Sequence, residues 1–172
     1  MMHSDSRVKE PVCLATTSLP DPCLSTYLSP RFREEPFLLA QGDGRQRLGE
    51  LFAEVALARE MSPDVIEKAR KAPLRAPLVI TVVARIQPHD KVPPLEQQLS
   101  AGCAVMAMQM AAQAQGFGGI WRSGWFIFDR LIHQALGLHE SDQIVGFLYL
   151  GTPATTPKPP RLLASDAFIR YL

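Results

Sequence analysis

The stretch of this 172-residue chain best suited to chemistry is Gly116-Phe117-Gly118-Gly119-Ile120-Trp121-Arg122-Ser123-Gly124. Its four glycines let the backbone approach a ligand closely, and a turn built from them can aim N–H groups at ligand oxygens or a ring nitrogen. Trp121 can wall a flat π system, and Arg122 can hold negative charge on it. The plainer reading is a helix–strand connection that carries a core tryptophan. The glycines follow a helical stretch rather than a strand, so this is not a dinucleotide-binding G-x-G-x-x-G fingerprint.

Other candidates are weaker. Lys68, Arg70, Lys71 and Arg75 form a basic run at the end of a helix. Their interaction with the helix C-terminus accounts for them, with phosphate binding as the alternative. His3, His89, His133 and His139 lack paired metal-ligand spacing, and His133 reads as a hydrogen-bonded surface residue of a helix. Ser100, Ser123 and Ser141 lack a nucleophile-elbow context. Cys13, Cys23 and Cys103 form no disulfide framework, and Cys103, among small apolar residues, reads as a buried thiol. With no set of catalytic side chains, the chemistry is expected to come from a bound cofactor that the protein positions.

Composition sets outer limits. The chain is 47% hydrophobic and 20% charged, with a net charge of +1. That is one globular domain without the concentrated basic face that nucleic acid requires. The longest apolar run, Ala101 to Met108, is far short of the roughly 20 residues of a membrane span. No secretory leader is evident at the start, and the expected setting is the reducing cytoplasm.

The elements that must position the Gly/Trp stretch lie in residues 37–151. Residues 1–36, rich in proline, read as irregular. Phe37-Leu38-Leu39-Ala40 is a short candidate strand. Leu48, Leu51, Phe52, Val55 and Ala56 have amphipathic-helix spacing. Ser62-Pro63 starts a second helix, with Ser62 as cap and Pro63 at the first helical position. Leu78–Ile86 and Ile144–Leu150 read as strands buried on both faces. Between them, Leu95 to Gln115 is a long helix, apolar nearly all round, which must be buried within the domain or between subunits, and Gly116 ends it. A short helix is expected over about Phe128 to Leu136. Residues 152–172 read as an extended C-terminal arm.

Several of these stretches resemble one family. Residues Ile66 to Pro77 followed by LVITVVA, then Lys91-Val92-Pro93 with Glu96-Gln97, then Ser100 to Ala112, GFGGIWRSG and IVGFLYLGTP, are similar to the minimal bacterial FMN-dependent nitroreductases of the YdjA type. The similarity covers about residues 37–153. It implies an α+β nitroreductase-like fold, with a central mixed sheet flanked by helices and a long buried central helix. It also implies an NAD(P)H-dependent FMN oxidoreductase that reduces nitroaromatic or quinone-like acceptors by hydride transfer through flavin N5. Members are homodimers, so the long helix would line the subunit interface. By matching positions, Trp121, Arg122 and Ser123 would contact FMN, and Ala111, Ala112, Gln113, Ala114, Gln115 and Gly116 would lie at the NAD(P) side. Residues 1–36 depart from the pattern: the family's Arg-Arg-Ser helix, its Ala-Pro-Asp-His segment and its Pro-Trp pair have no counterpart there. The alternative expectation is therefore an impaired member that dimerises but binds FMN weakly. A plain small-molecule binding domain without redox chemistry is the third reading.

Overall fold

A computed structural model describes residues 37–155 and 165–170. Four strands form one sheet: β1 (Phe37–Gln41), β2 (Leu78–Ala84), β3 (Gly118–Arg122) and β4 (Gln143–Gly151). Their spatial order is β1-β2-β4-β3. All three pairings among these described strands are antiparallel. β2 and β4 are central, and every residue of β2 after Leu78 is buried. This explains why their sequences run apolar without alternation: both faces are covered.

Helices cover the two faces. On one side lie α1 (Asp43–Ala58), α2 (Pro63–Lys71) and the short α4 (Arg130–Ala135). Leu48, Phe52, Val55 and Ala56 of α1 pack there with Val79, Val83, Phe147 and Tyr149 of the sheet. Phe52 stacks on Phe126 at a centroid distance of 4.4 Å and meets Phe147 edge-on at 5.4 Å. On the other side, alone among the described residues, lies α3 (Pro94–Ala114), with Ala101, Val105, Met108 and Ala112 set against Ile80, Val82, Leu148 and Leu150.

Local signals act largely as their chemistry dictates. Pro63 opens α2, but the Ser62 hydroxyl makes no cap; its carbonyl accepts from Val65 N and Ile66 N instead. Asp129 does cap α4, accepting from Leu131 N at 2.9 Å. At the end of α3, Gly116 adopts φ +84°. Gly116 N donates to Gln113 O and Phe117 N to Ala112 O, both at 2.9 Å. This pair of bonds is a Schellman stop, which needs a left-handed residue at that position.

Two side-chain expectations are corrected. Cys103 is exposed, not buried, because it lies on the outward face of α3. His133 is partnered, but it is buried, at 2% exposure. Its Nδ1 lies 2.9 Å from Asp129 O, and its Nε2 accepts from Ile144 N at 3.3 Å. The expectations for residues 1–36, Cys13 and Cys23 included, and for most of the 152–172 arm lie outside the described residues.

Candidate functional site

The Gly/Trp stretch is not simply a turn. Gly118 to Arg122 form β3, the edge strand, paired with β4 from Gly118↔Gly151 to Arg122↔Phe147. An edge strand leaves half of its backbone N–H and C=O groups unpaired by the sheet. It also sends successive side chains to opposite faces. Gly119 and Trp121 face α3: a Cβ on Gly119 would lie 2.9 Å from Gln109 Cγ, and the Trp121 indole reaches Gly102 of α3. Ile120 and Arg122 sit opposite Tyr149 and Phe147, on the α1 side. Ser123 and Gly124 follow as an exposed link, with Gly124 at φ +88°.

Trp121 is held but not covered. Its Nε1 donates to Val145 O at 3.3 Å, while 43% of the residue stays exposed. The acceptor comes from an irregularity in β4. The β2–β4 register shifts between Val82↔Gly146 and Val83↔Ile144, which leaves Val145 as a bulged residue. Gly146 lies directly beneath the indole. Neither residue was among the sequence candidates, although a lone glycine inside a β-branched run does signal a bulge or a close approach.

On the opposite face, burial pushes the Tyr149 phenol above its ordinary pKa range, while the positive Arg75 and Arg122 nearby pull it down. Two others of the basic run are engaged with carboxylates. Arg70 pairs with Glu50 and with Glu67, the latter at 3.2 Å, and Lys71 lies 3.7 Å from Glu67.

Residues Ala111 to Gly116 form the last turn of α3 and its stop. Ala112 is fully buried in the core, whereas Gln113, Ala114, Gln115 and Gly116 are exposed. This turn leads into the start of β3, whereas Trp121 lies near its end, against Gly102. From Gly102 to Ala111 is nine residues of helix, about 14 Å. The two candidate groups therefore occupy opposite ends of the α3–β3 pair.

The outer face of α3 carries Leu95, Leu99, Cys103, Met106 and Met110, all exposed. Steps of four, four, three and four residues place them in a single stripe along the helix. No described residue covers them. Among the described residues, no helix is long and apolar enough to cross a membrane.

A helix-flanked antiparallel sheet, with an edge strand that holds a half-open indole against a long central helix, makes this an α+β protein. The chain belongs to the nitroreductase family, whose sequence profile matches residues 35–152. It is 56% identical over 117 residues to the Escherichia coli K12 protein named "Putative NAD(P)H nitroreductase YdjA". That match spans 68% of this chain and 64% of the relative. A nitroreductase-like family protein of Bacillus cereus has a similar structure, with a TM-score of 0.67 at 19% identity, covering 91% of this chain and 87% of the other. The NADPH:FMN oxidoreductase of Vibrio harveyi, solved with NAD+, gives a TM-score of 0.57 at 15% identity, covering 91% and 70%.

Proposed function

We propose that this chain is an NAD(P)H-dependent, FMN-containing oxidoreductase that reduces nitro compounds or similar quinone-like acceptors. The observation that carries the reading is the Trp121 indole, fixed at Val145 and half open beside the edge of β3 that no described strand pairs. A flat aromatic cofactor needs one apolar wall and backbone donors near its ring heteroatoms, and this edge offers both. The names of the Escherichia coli and Vibrio harveyi proteins support the same reading.

When bound, FMN supplies hydride transfer through its N5 between NAD(P)H and the acceptor. The chain's own residues supply position and charge. Trp121 forms the ring wall, and the Ser123 hydroxyl and the β3 backbone offer hydrogen bonds. Arg122, on the other face of β3, brings a positive charge to the same edge. The exposed Gln113 to Gly116 turn, at the far end of β3 from the indole, would hold the nucleotide part of NAD(P)H while its nicotinamide reaches back toward the flavin ring; Ala112 contributes only packing. The apolar stripe of α3 pairs two copies into a homodimer, and the protein works in the cytoplasm.

The test is a visible spectrum of the purified full chain, followed by NAD(P)H-dependent loss of nitroarene absorbance. Bound yellow flavin and turnover are expected. Protein that stays colourless after incubation with excess FMN would sink the proposal. A second reading, a dimer that holds FMN only weakly, is favoured by residues 1–36, where the family's Arg-Arg-Ser motif has no counterpart. Each lost charge-assisted bond to the phosphate would cost about 1.5–3 kcal/mol, roughly tenfold or more in affinity. An FMN titration separates the two readings.

A further inference from the structure

We propose that Gly146 is a positioning residue for the flavin site, because its missing side chain creates the slot that sets the plane of the Trp121 indole. The proposal rests on the reading of Trp121 as a flavin wall given above.

The geometry is specific. Gly146 faces the same side of the sheet as Leu148 and Val82, toward α3. A Cβ built there would overlap Trp121 Nε1, lie 2.6 Å from Trp121 Cδ1 and lie 3.1 Å from Arg122 O. The backbone of Gly146 is not left-handed, so any residue could adopt its conformation. The glycine is there for space. Its neighbour Val145, displaced by the bulge, presents the carbonyl that receives the indole N–H. At the far end of the ring, a Cβ on Gly102 would sit 3.4 Å from Trp121 Cη2, an ordinary contact. Three β4 and α3 positions thus fix the ring: Val145 by a hydrogen bond, Gly146 by vacated space, and Gly102 by a close helix face. Any side chain at position 146 would swing the indole off Val145, because packed surroundings do not absorb an overlap of this depth.

The test uses the full chain with Trp125→Phe, which leaves Trp121 as the sole tryptophan. In the flavin-free protein, Gly146→Ala is expected to red-shift the emission of Trp121 and raise its acrylamide quenching about twofold, as the ring leaves its slot. Affinity for FMN should fall about tenfold. In a Trp121→Ala background, where the overlapping atoms are gone, Gly146→Ala should change FMN affinity less than about twofold. Unchanged emission in a folded Gly146→Ala protein overturns the proposal, as does an equal loss of FMN affinity with and without the indole. If Gly146→Ala alone fails to fold, recovery of folding by added Trp121→Ala supports the slot, and failure to recover overturns it. Unchanged FMN affinity in Trp121→Ala alone would instead remove the indole from the flavin wall. That outcome is told apart from a failed slot by the emission shift, which would persist.

Discussion

At position 133 an imidazole ties α4 to the start of β4, alongside the bonds from Arg130 to Asp142 O and from Gln143 to Ile127 O. It bonds Asp129 O, just ahead of α4, and Ile144 N, at the start of β4. His133→Ala would leave the Ile144 amide without its partner in a dry site and open a cavity. The expected loss is about 2–4 kcal/mol in a urea titration; a loss below about 1 kcal/mol would show that water or a shifted backbone replaces the ring. The neighbouring carboxylate acts differently. Asp129 takes both Arg59 Nε at 2.9 Å and Nη2 at 3.1 Å, besides capping α4. These bonds, led by that to the Arg59 side chain, hold its pKa below the ordinary carboxylate range. Its contribution to stability is therefore complete above the unfolded-state value near ~4 and is lost as pH falls through the lower folded value. Asp129→Asn keeps a capping side chain and loses the charge. The urea midpoints of wild type and variant should differ at pH 7 and converge toward pH 2–3; a gap that persists at low pH would contradict the ion-pair origin.

Among the elements, the link between β2 and α3 has the clearest dependence on one side chain. Gln97, 2% exposed, accepts from Gln87 N at 2.9 Å and donates to Gln87 O at 2.9 Å and Val92 O at 3.0 Å. Gln97→Glu keeps the acceptor and loses both donors. We expect a loss of about 2–4 kcal/mol together with faster amide exchange at Gln87, and an exchange rate unchanged from wild type would refute the tether. How far each element could be read from sequence differs for physical reasons. α3 was legible because an all-apolar run opened by proline and closed by Gly116 has few other solutions. β2 and β4 were legible as β-branched runs. The sequence of β3 reads as a turn because Gly118-Gly119 carries no strand propensity; its extended form comes from pairing with β4, a partner more than twenty residues away. The bulge at Val145, and with it the hold on Trp121, depends on register, which composition does not encode. Cys103 was misplaced for a related reason: a run of small residues marks close packing but not which side of the helix is packed.

At the scale of the molecule, the two faces of the sheet are unequally protected. Among the described residues, one is covered by α1, α2 and α4, the other by α3, whose own outer stripe no described residue covers. An exposed apolar row on the longest helix is the strongest physical argument for the proposed pairing of two copies. Met106→Glu places a charge in the middle of that row. It should yield monomers by analytical ultracentrifugation at concentrations where the wild type is a dimer, and should abolish any rise of Tm with protein concentration. A variant that remains dimeric would move the interface elsewhere. The family and the fold were legible in residues 37–153 through long contiguous motifs. The opposed orientations of Trp121 and Arg122 were not, because adjacency in sequence looks like adjacency in space until the backbone is known to be extended.

That alternation constrains how the chain can vary. Within Gly118–Arg122 the face of each side chain is set by counting residues from the pairing with β4. Deleting one glycine would leave the composition almost untouched, yet it would turn the indole toward the α1 side and the guanidinium toward α3. Substitutions in this strand can be graded in effect, but a change of length inverts it. Insertions and deletions among relatives should therefore gather outside these five positions, in the links before Gly118 and after Ser123.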